Sequence, residues 1–483
     1  MTIDEKQISD FLDSASHAAN TILETVKENG VIYVFSHLDA DGLSAAGIIA
    51  RALSRLDAKF RIRITQWIDE KIIQEILSEK PQLIVFTDMG SGYIDMLSEK
   101  LANFKIVILD HHQIIGEQTA NIVHVNPHLY EIDGAKDISG SGVTYFTAKA
   151  MDKANIDSAP VAVVGALGDI QDKYDQRMLG GLNGRIVEDA KSTELLTVEK
   201  DLIFFGRETR PIHRTLASTT SPFIPGISGE EDKSLAFLIS LDIKPKHNDK
   251  WRALRDLSEQ EKKRLCSNLA DYLLSKGLHY EVANLIGHVY ILNREEPWTP
   301  LRDAREFSVL LNATGRMDNP GLGVAVCMGD RGSALEEANK VLQKYRRTIG
   351  KYLGWVMGKP EKMQELENIY VVHGEDFLKD KIVGAISSIL SVSLPNPEKP
   401  LIIYANVKEE ELAKFSARTV DRVTNKGVNL GEVMQVAAER FLGKGGGHNV
   451  AAGAQVPIED TSTFIELVDE LVGKQLRGEN IGS

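Results

Sequence analysis

Residues 36–44 read SHLDADGLS, and three of them could hold a cation. His37, Asp39 and Asp41 alternate, so in an extended segment their side chains share one side. Carboxylates that close repel one another, so a positive charge or open water must lie between them. Three further apolar runs in the first 170 residues end in similar groups: LIVFT in Asp88, KIVIL in Asp110-His111-His112, and VAVVGALG in Asp169. His37, Asp39, Asp41, Asp88, His111 and Asp169 together offer four carboxylates and two imidazoles. One divalent ion would not use them all, whereas two ions about 3.5–4 Å apart, sharing a carboxylate, would. Mixed oxygen and imidazole ligation suits Mn²⁺, with Mg²⁺ as the other candidate. Two such ions lower the pKa of a bound water and clamp the oxygens of an in-line displacement at phosphorus. A single aspartate after a strand is usually a helix cap, and Asp41 before Gly42 could be one. Six residues at four run ends are more than capping explains.

The elements that must position these groups alternate. Helical spacing over 4–28 leads into a strand at 31–35, and helix 43–56 follows, with Gly42 expected to let the chain turn sharply into it. Then come strand 60–65, helix 69–79, strand 82–88, helix 93–102, strands 104–110 and 121–126, helix 142–155 and the apolar run 161–169, read as a further strand. Such alternation predicts a doubly wound parallel α/β sheet, whose ligands sit beyond the carboxyl ends of its strands. All four clusters fall at such ends. This first domain is expected over 1–195. A middle region, 196–332, contains an inserted α/β domain with its core at about 225–300, preceded by the Ser/Thr/Pro/Gly-rich stretch 218–234. A connecting amphipathic helix follows over 333–358, and a smaller α/β domain over 359–483.

Composition narrows the function. The 483 residues are 43% apolar and carry a formal charge of −13, so a basic coat for nucleic acid is excluded and any such ligand must be held locally. The two cysteines, Cys266 and Cys327, are too far apart for a cysteine zinc site. Apolar runs are too short to cross a bilayer and the acidic N-terminus lacks signal-peptide character, so no membrane association and a cytoplasmic location are expected.

HLDADG (37–42), TDMG (87–90), LDHHQ (109–113) and GALGDIQD (165–172) resemble the four motifs of the DHH phosphoesterase superfamily. GGGH (445–448) followed by AAG (451–453) resembles the glycine-rich motif of the DHH-associated C-terminal domain, and LLNATGRM (310–317) a segment of RecJ-type nucleases. Within the superfamily the chain looks most like the archaeal RecJ-like nucleases, which associate with the replication factor GINS and are related to a eukaryotic replicative-helicase subunit. The resemblance implies His37, Asp39 and Asp88 on one metal, and Asp41, Asp88, His111 and Asp169 on the other, with Asp88 bridging. It implies that Asp110 orients His111 and that His112 faces the scissile phosphate as a hydrogen-bond donor or general acid.

In the last domain, Gly445, Gly446 and Gly447 can take positive φ and let the backbone approach a ligand, and their N–H groups can form an anion-binding concavity to which His448 adds a hydrogen bond. The resemblance adds Ser416 and Arg418 as substrate contacts, the arginine fork bonding two phosphate oxygens at once. Asn312 and Arg316 are further candidates for contacts to the backbone of the strand. The function implied is a two-metal exonuclease digesting single-stranded DNA 5′ to 3′, with RNA as a second substrate, in DNA replication or repair, and with GINS docking on the middle insertion. Two alternatives stand beside it. One is a phosphodiesterase or phosphatase for oligoribonucleotides, 3′-phosphoadenosine phosphate or cyclic dinucleotides; the other is a replisome scaffold without chemistry.

Overall fold

The computed structural model describes residues 3–219, 222–391, 394, 396 and 398–481. The chain divides into two compact units, 1–342 and 343–483, with the boundary inside the long helix expected at 333–358.

In the first unit, helix α1 (Glu5–Lys27) starts at a capping box between Asp4 and Gln7 and buries Ile8, Phe11, Ala15, Ala18 and Ile22, one stripe at helical spacing. Strand β1 (Val31–His37), helix α2 (Ala40–Arg55), β2 (Lys59–Thr65), α3 (Glu70–Glu79), β3 (Leu83–Thr87), α4 (Ile94–Lys100), β4 (Lys105–Leu109) and β5 (Ile122–Val125) follow. The five strands pair in parallel in the order β2-β1-β3-β4-β5. Both faces are covered, so the central strands are apolar throughout rather than alternating. Phe35 and Phe86 stack at 5.4 Å on the face covered by α3 and α4. Each such fully buried side chain contributes about 2 kcal/mol. Helices α1, α2 and α5 (Gly140–Met151) lie on the other face.

The run 161–169 is not a strand. It forms helix α6 (Ala159–Gly168), in which every residue from Ala159 to Leu167 is buried, among α2, α5 and later helices. An apolar segment buried all round carries no helical stripe, and Pro160 in its first turn marks the start instead. Asp169 therefore follows a helix rather than a strand. Helix α7 (Gly181–Ser192) and strand β6 (Leu196–Leu202) lead into the middle region.

That region is mainly helical: α8 (Ile212–Ala217), α9 (Glu231–Ser240), α10 (Glu259–Ser275) and α11 (His279–Val282). Its strands are the small pair β7 (Lys246–His247) and β8 (Lys250–Trp251), and β9 (Ile286–Leu292), which pairs antiparallel with β6. Ser258 and Glu261 form a capping box at α10, and Leu265, Leu269 and Leu273 line one face of that helix into a separate leucine-rich core. Helices α12 (Ala304–Arg316) and α13 (Pro320–Met328) pack back onto α2, and α14 (Ser333–Met357) follows.

The second unit holds a six-stranded sheet ordered β10-β11-β12-β13-β15-β14. Its elements are β10 (Met363–Glu365), β11 (Tyr370–His373), α15 (Asp380–Ser391), β12 (Leu401–Val407), β13 (Leu412–Arg418), α16 (Asp421–Thr424), α17 (Leu430–Glu439), β14 (Lys444–Gly447), β15 (Ala451–Pro457) and α18 (Thr461–Leu476). Only β11 and β12 pair in parallel. Phe415, Met434, Val456, Phe464 and Val468 form the core between the sheet and α17 and α18, while α15 packs against β12 and β13. Among the described residues no helix is long and apolar enough to cross a membrane.

Candidate metal centre

The strand order reverses between β1 and β3, and the crevice beyond the carboxyl ends of such a pair is where parallel sheets bind ligands. β1 ends in His37 and β3 is followed by Asp88, so the switch point carries two of the candidate residues. Leaving β1, the chain enters α2 at once. Asp39 is the cap: its Oδ1 accepts from Gly42 N–H at 3.0 Å, while Oδ2 lies 3.0 Å from His37 Nδ1. Asp41, expected as the possible cap, is the second residue of the helix, within its first turn, and is fully buried. Gly42 is helical, and its lack of a side chain serves close packing, because a Cβ there would sit 2.3 Å from the His37 carbonyl oxygen.

A second helix holds Asp41. The first N–H groups of α5, from Gly140 (2.6 Å) and Ser141 (3.1 Å), donate to its two oxygens, and the positive end of the helix favours the charge. The approach requires glycines: a Cβ on Gly140 would meet Asp88 Oδ1 at 2.5 Å, and one on Gly165 would meet Asp41 Oδ1 at 2.4 Å. Asp88 has a left-handed backbone (φ 55°) and is buried. His111 Nε2 is 3.2 Å from Asp88 Oδ1, 3.3 Å from Asp169 Oδ2 and 3.8 Å from Asp41 Oδ2, and His37 Nδ1 is 3.8 Å from Asp88 Oδ2. The six residues singled out in the sequence thus converge on one place.

Three atoms in this cluster are buried without a hydrogen-bond partner: Asp88 Oδ1, Asp88 Oδ2 and His111 Nε2. Such groups cost about 1–3 kcal/mol each when left unpaired. All three are atoms of the kinds that ligate metals, and a divalent cation would satisfy them together. Histidine tautomer agrees: Nδ1 of His111 lies 2.6 Å from the Gly134 carbonyl and donates to it, which leaves the Nε2 lone pair facing the carboxylates. Two sets of three are close enough to share an ion, His37-Asp39-Asp88 and Asp41-His111-Asp169.

The electrostatics describe a cluster short of positive charge. Burial, then the charges of Asp41 and Asp39, push the Asp88 carboxyl well above its usual range. Burial likewise pushes Asp169 up to about 6, against the pull of His111 and with the repulsion of Asp41. His111 is raised even though burial opposes its charge, because Asp169, Asp41 and Asp110 surround it. Asp39 is lowered, burial being outweighed by His37 with a smaller part from Arg316.

Contrary to the expectation from the sequence, Asp110 holds the backbone of His111 and not its ring: its Oδ1 accepts the His111 N–H at 2.8 Å, but its ring contact is with His112. The same Oδ1 accepts from His112 Nδ1 at 2.8 Å, while Oδ2 accepts from Ser91 N–H at 2.9 Å. His111 is steered instead by the Gly134 carbonyl, which Gln171 Nε2 also holds at 2.9 Å. His112 is about half exposed, and its pKa is pushed up to about 9, the Asp110 carboxylate outweighing burial. Asn126 donates to both the His112 carbonyl and Ser91 Oγ, and so fixes this pair. Sequence reasoning missed Ser91, Asn126, Gly134, Gly140, Ser141 and Gln171. The run SGSG at 139–142, small residues opening a helix, was the signal for Gly140 and Ser141.

Asn312 and Arg316 lie beside this cluster on α12. Asn312 Oδ1 accepts the N–H of Ala40 at 3.2 Å, so it holds the backbone of the HLDAD segment, and a Cβ on Gly315 would sit 1.7 Å from the Leu38 carbonyl oxygen.

The other candidates are in the second unit. Gly445–Gly447 form not a loop but edge strand β14, and two of the three are packing glycines. A Cβ on Gly445 would meet the Met434 carbonyl of α17 at 2.1 Å, and one on Gly447 the Ala452 Cα at 2.6 Å; around Gly446 (φ 155°) there is nothing within 4 Å. Gly446, Gly453 and Ser416 face one another across β14, β15 and β13. Ser416 Oγ contacts Ser387 Oγ on α15 (2.9 Å) and accepts from Arg418 Nη1 (3.1 Å), while Arg418 Nε donates to Ser388 Oγ. His448 is exposed in the turn between β14 and β15.

Fold and site together define an α/β protein with a buried acid and histidine cluster suited to divalent cations at the switch point of a parallel sheet, followed by a second α/β unit built on a mixed sheet. The DHH family N-terminal domain matches residues 31–167, the DHH-CID domain 204–286 and the DHHA1 domain 368–474. The chain belongs to the DHH superfamily, and its fold is similar to that of RecJ. An uncharacterized protein of Methanocaldococcus jannaschii is 33% identical over 455 residues, covering 93% of this chain and 94% of its own. Among solved structures, RecJ of Thermus thermophilus in complex with Mn²⁺ is similar at 17% identity and TM-score 0.59. That match covers 95% of this chain but 55% of the Thermus protein, so this chain spans about half its length. Another exonuclease RecJ, bound to manganese, covers 97% of each chain at 17% identity and TM-score 0.57. CDC45 from Entamoeba histolytica is similar over 95% of this chain and 99% of its own, at 12% identity and TM-score 0.64.

Proposed function

We propose that the protein is a metal-dependent exonuclease of single-stranded nucleic acid, acting 5′ to 3′ on DNA and also on RNA, in DNA replication or repair. The observation that carries this reading is the complete ligand cluster with its buried, unpartnered Asp88 oxygens and His111 Nε2. His37, Asp39 and Asp88 would hold one ion, and Asp41, Asp88, His111 and Asp169 the other, Mn²⁺ being preferred to Mg²⁺ for this donor set. When bound, the pair supplies an ionised water and charge neutralisation at the phosphate.

The chain's own residues do the rest. Gly140 and Ser141 N–H donate to the two oxygens of Asp41 and fix its carboxylate in place, and the Gly134 carbonyl keeps the proton of His111 on Nδ1. Asp110, fixed by Ser91 N–H, holds His112 charged with Nε2 free to donate to a phosphate oxygen or to the departing one. In the second unit, Gly446, Ser416, Arg418 and His448 would grip the phosphates of the strand, while Gly445 and Gly447 keep β14 close-packed beneath them. Asn312 acts on the HLDAD backbone rather than on the strand, and Arg316 adds positive charge beside Asp39.

Digestion of 5′- and 3′-labelled single-stranded DNA and RNA with Mn²⁺ or Mg²⁺ tests polarity, sugar and metal together. A ladder from the 5′ end in Mn²⁺ is expected; hydrolysis of dinucleotides without a ladder would favour the small-substrate phosphodiesterase. The likeness to CDC45 supports a replisome association, which we place on the middle insertion with GINS as partner. Deleting 230–300 should then weaken GINS pull-down and spare nucleolysis; the opposite result reverses the assignment. A scaffold without chemistry accounts poorly for the cluster, since six ligand groups would keep their mutual repulsion to no purpose.

A further inference from the structure

Helix α6 closes in a paired turn: Gln171 N–H donates to the Ala166 carbonyl (3.0 Å) and Ile170 N–H to that of Leu167 (3.2 Å). This is the Schellman pattern, whose left-handed position is normally glycine. Here it is Ile170, at φ 55°. A β-branched residue in that region is a genuine outlier, because its Cβ crowds the following carbonyl. Burial does not compensate for it, since the side chain is 59% exposed. Its chain neighbour Asp169 reaches into the metal cluster.

Glycine would make the same turn without strain and without an apolar group in water. Strain kept where the fold does not need it marks a use beyond the fold. We propose that Ile170 is a substrate contact: its side chain packs on the apolar face of the base or sugar next to the phosphate being cut. The inference rests on the nuclease reading and specifies a nucleoside subsite on the Asp169 side of the cluster.

Ile170→Asn and Ile170→Gly remove the apolar group and suit the left-handed position. Three measurements test them: thermal melting, Mn²⁺ titration calorimetry, and steady-state kinetics on a labelled single strand. Ile170→Asn should melt higher than wild type, bind Mn²⁺ with a Kd within about twofold, and show a KM raised about tenfold, the value of a partly buried aliphatic side chain. Ile170→Gly should share the KM effect, and the conservative Ile170→Val should restore KM. An unchanged KM in Asn and Gly overturns the contact. So does a raised KM accompanied by weakened Mn²⁺ binding, because the residue would then act by placing Asp169. Unchanged melting of the Asn variant removes the premise of strain. If wild type cleaves dinucleotides and not the strand, the nuclease reading fails instead, and KM for the dinucleotide decides the contact by the same criterion. Should wild type turn over neither, strand binding by fluorescence anisotropy decides it, an unchanged Kd in both variants overturning the contact.

Discussion

The cluster in the first unit and the glycine-rich strand in the second mark their sites in opposite ways. In the first, polar atoms are packed together with too few partners: Asp88 is buried with neither oxygen bonded, and its neighbours raise its pKa. In the second, the arginine is tethered and the signal is missing bulk: Arg418 is bonded to Ser416 and Ser388, while Gly446 and Gly453 leave the sheet bare beside them. An unresolved charge conflict calls for a cation. A bare backbone beside a tethered arginine suits a phosphate, whose oxygens can compete for donors already in place. The two kinds of signal predict different responses to mutation.

Asp88→Ala should have the largest effect. Asp88 would serve both ions, so its loss removes several kcal/mol of charge stabilisation, or about 10³-fold and more in kcat. Single-turnover assays and Mn²⁺ titration check it; activity near that of wild type would refute the bridging role. No variant of the glycine strand should approach this loss.

Within the glycine strand, packing and ligand roles separate. Gly445→Ala drives a Cβ against the Met434 carbonyl, backbone against backbone, and should cost about 2–3 kcal/mol in denaturant unfolding. Gly446→Ala meets no neighbour and should lose about 1–2 kcal/mol from its φ alone, while raising KM for the strand. If Gly445→Ala raises KM without loss of stability, the division between the two glycines is wrong.

Acidity should move the first unit in an unusual direction. Asp169, with a folded pKa of about 6, and His111, also raised, both hold protons more tightly in the metal-free folded state than in the unfolded chain. Stability from Asp169 is therefore present at low pH and lost as pH rises from about 4 through 6, and that from His111 is lost above about 6.5. Between pH 5 and 8 the metal-free protein should lose about 1 kcal/mol from Asp169, with His111 adding a loss of the same sign. Saturating Mn²⁺ should reverse the slope, because ligands bind the ion deprotonated. Glu261 in the middle region, held at about 2 chiefly by Arg252, has the opposite sign: its contribution is present above about pH 4.5 and lost toward pH 2. Melting curves against pH, with and without Mn²⁺, measure both.

Much of this was legible beforehand. The parallel sheet follows from short apolar runs alternating with amphipathic helices, and the cluster from acids and histidines at run ends. Two things were hidden for physical reasons. VAVVGALG reads as a strand because α6 is buried on every side and shows no stripe. The pairing of Asp110 with His112 depends on where Gly134 places its carbonyl, and adjacency of Asp110 to both histidines cannot choose between them. Likewise three consecutive glycines look like one motif, although a helix backbone explains Gly445 and a neighbouring strand Gly447.

The smallest expected effect concerns Asn312, where a strand contact and a backbone clamp predict different kinetics. As a clamp, Asn312 satisfies the Ala40 N–H at the start of α2 and steadies the segment carrying His37, Asp39 and Asp41. Asn312→Ala should then cost about 1 kcal/mol in stability, as loss of one helix-capping bond does. Mn²⁺ affinity and kcat should fall by about 10-fold, in the range seen for residues that support metal ligands from behind, while KM for the strand stays put. A raised KM with unchanged Mn²⁺ affinity would return Asn312 to the substrate and make α12 part of the binding surface rather than a support for the metal centre.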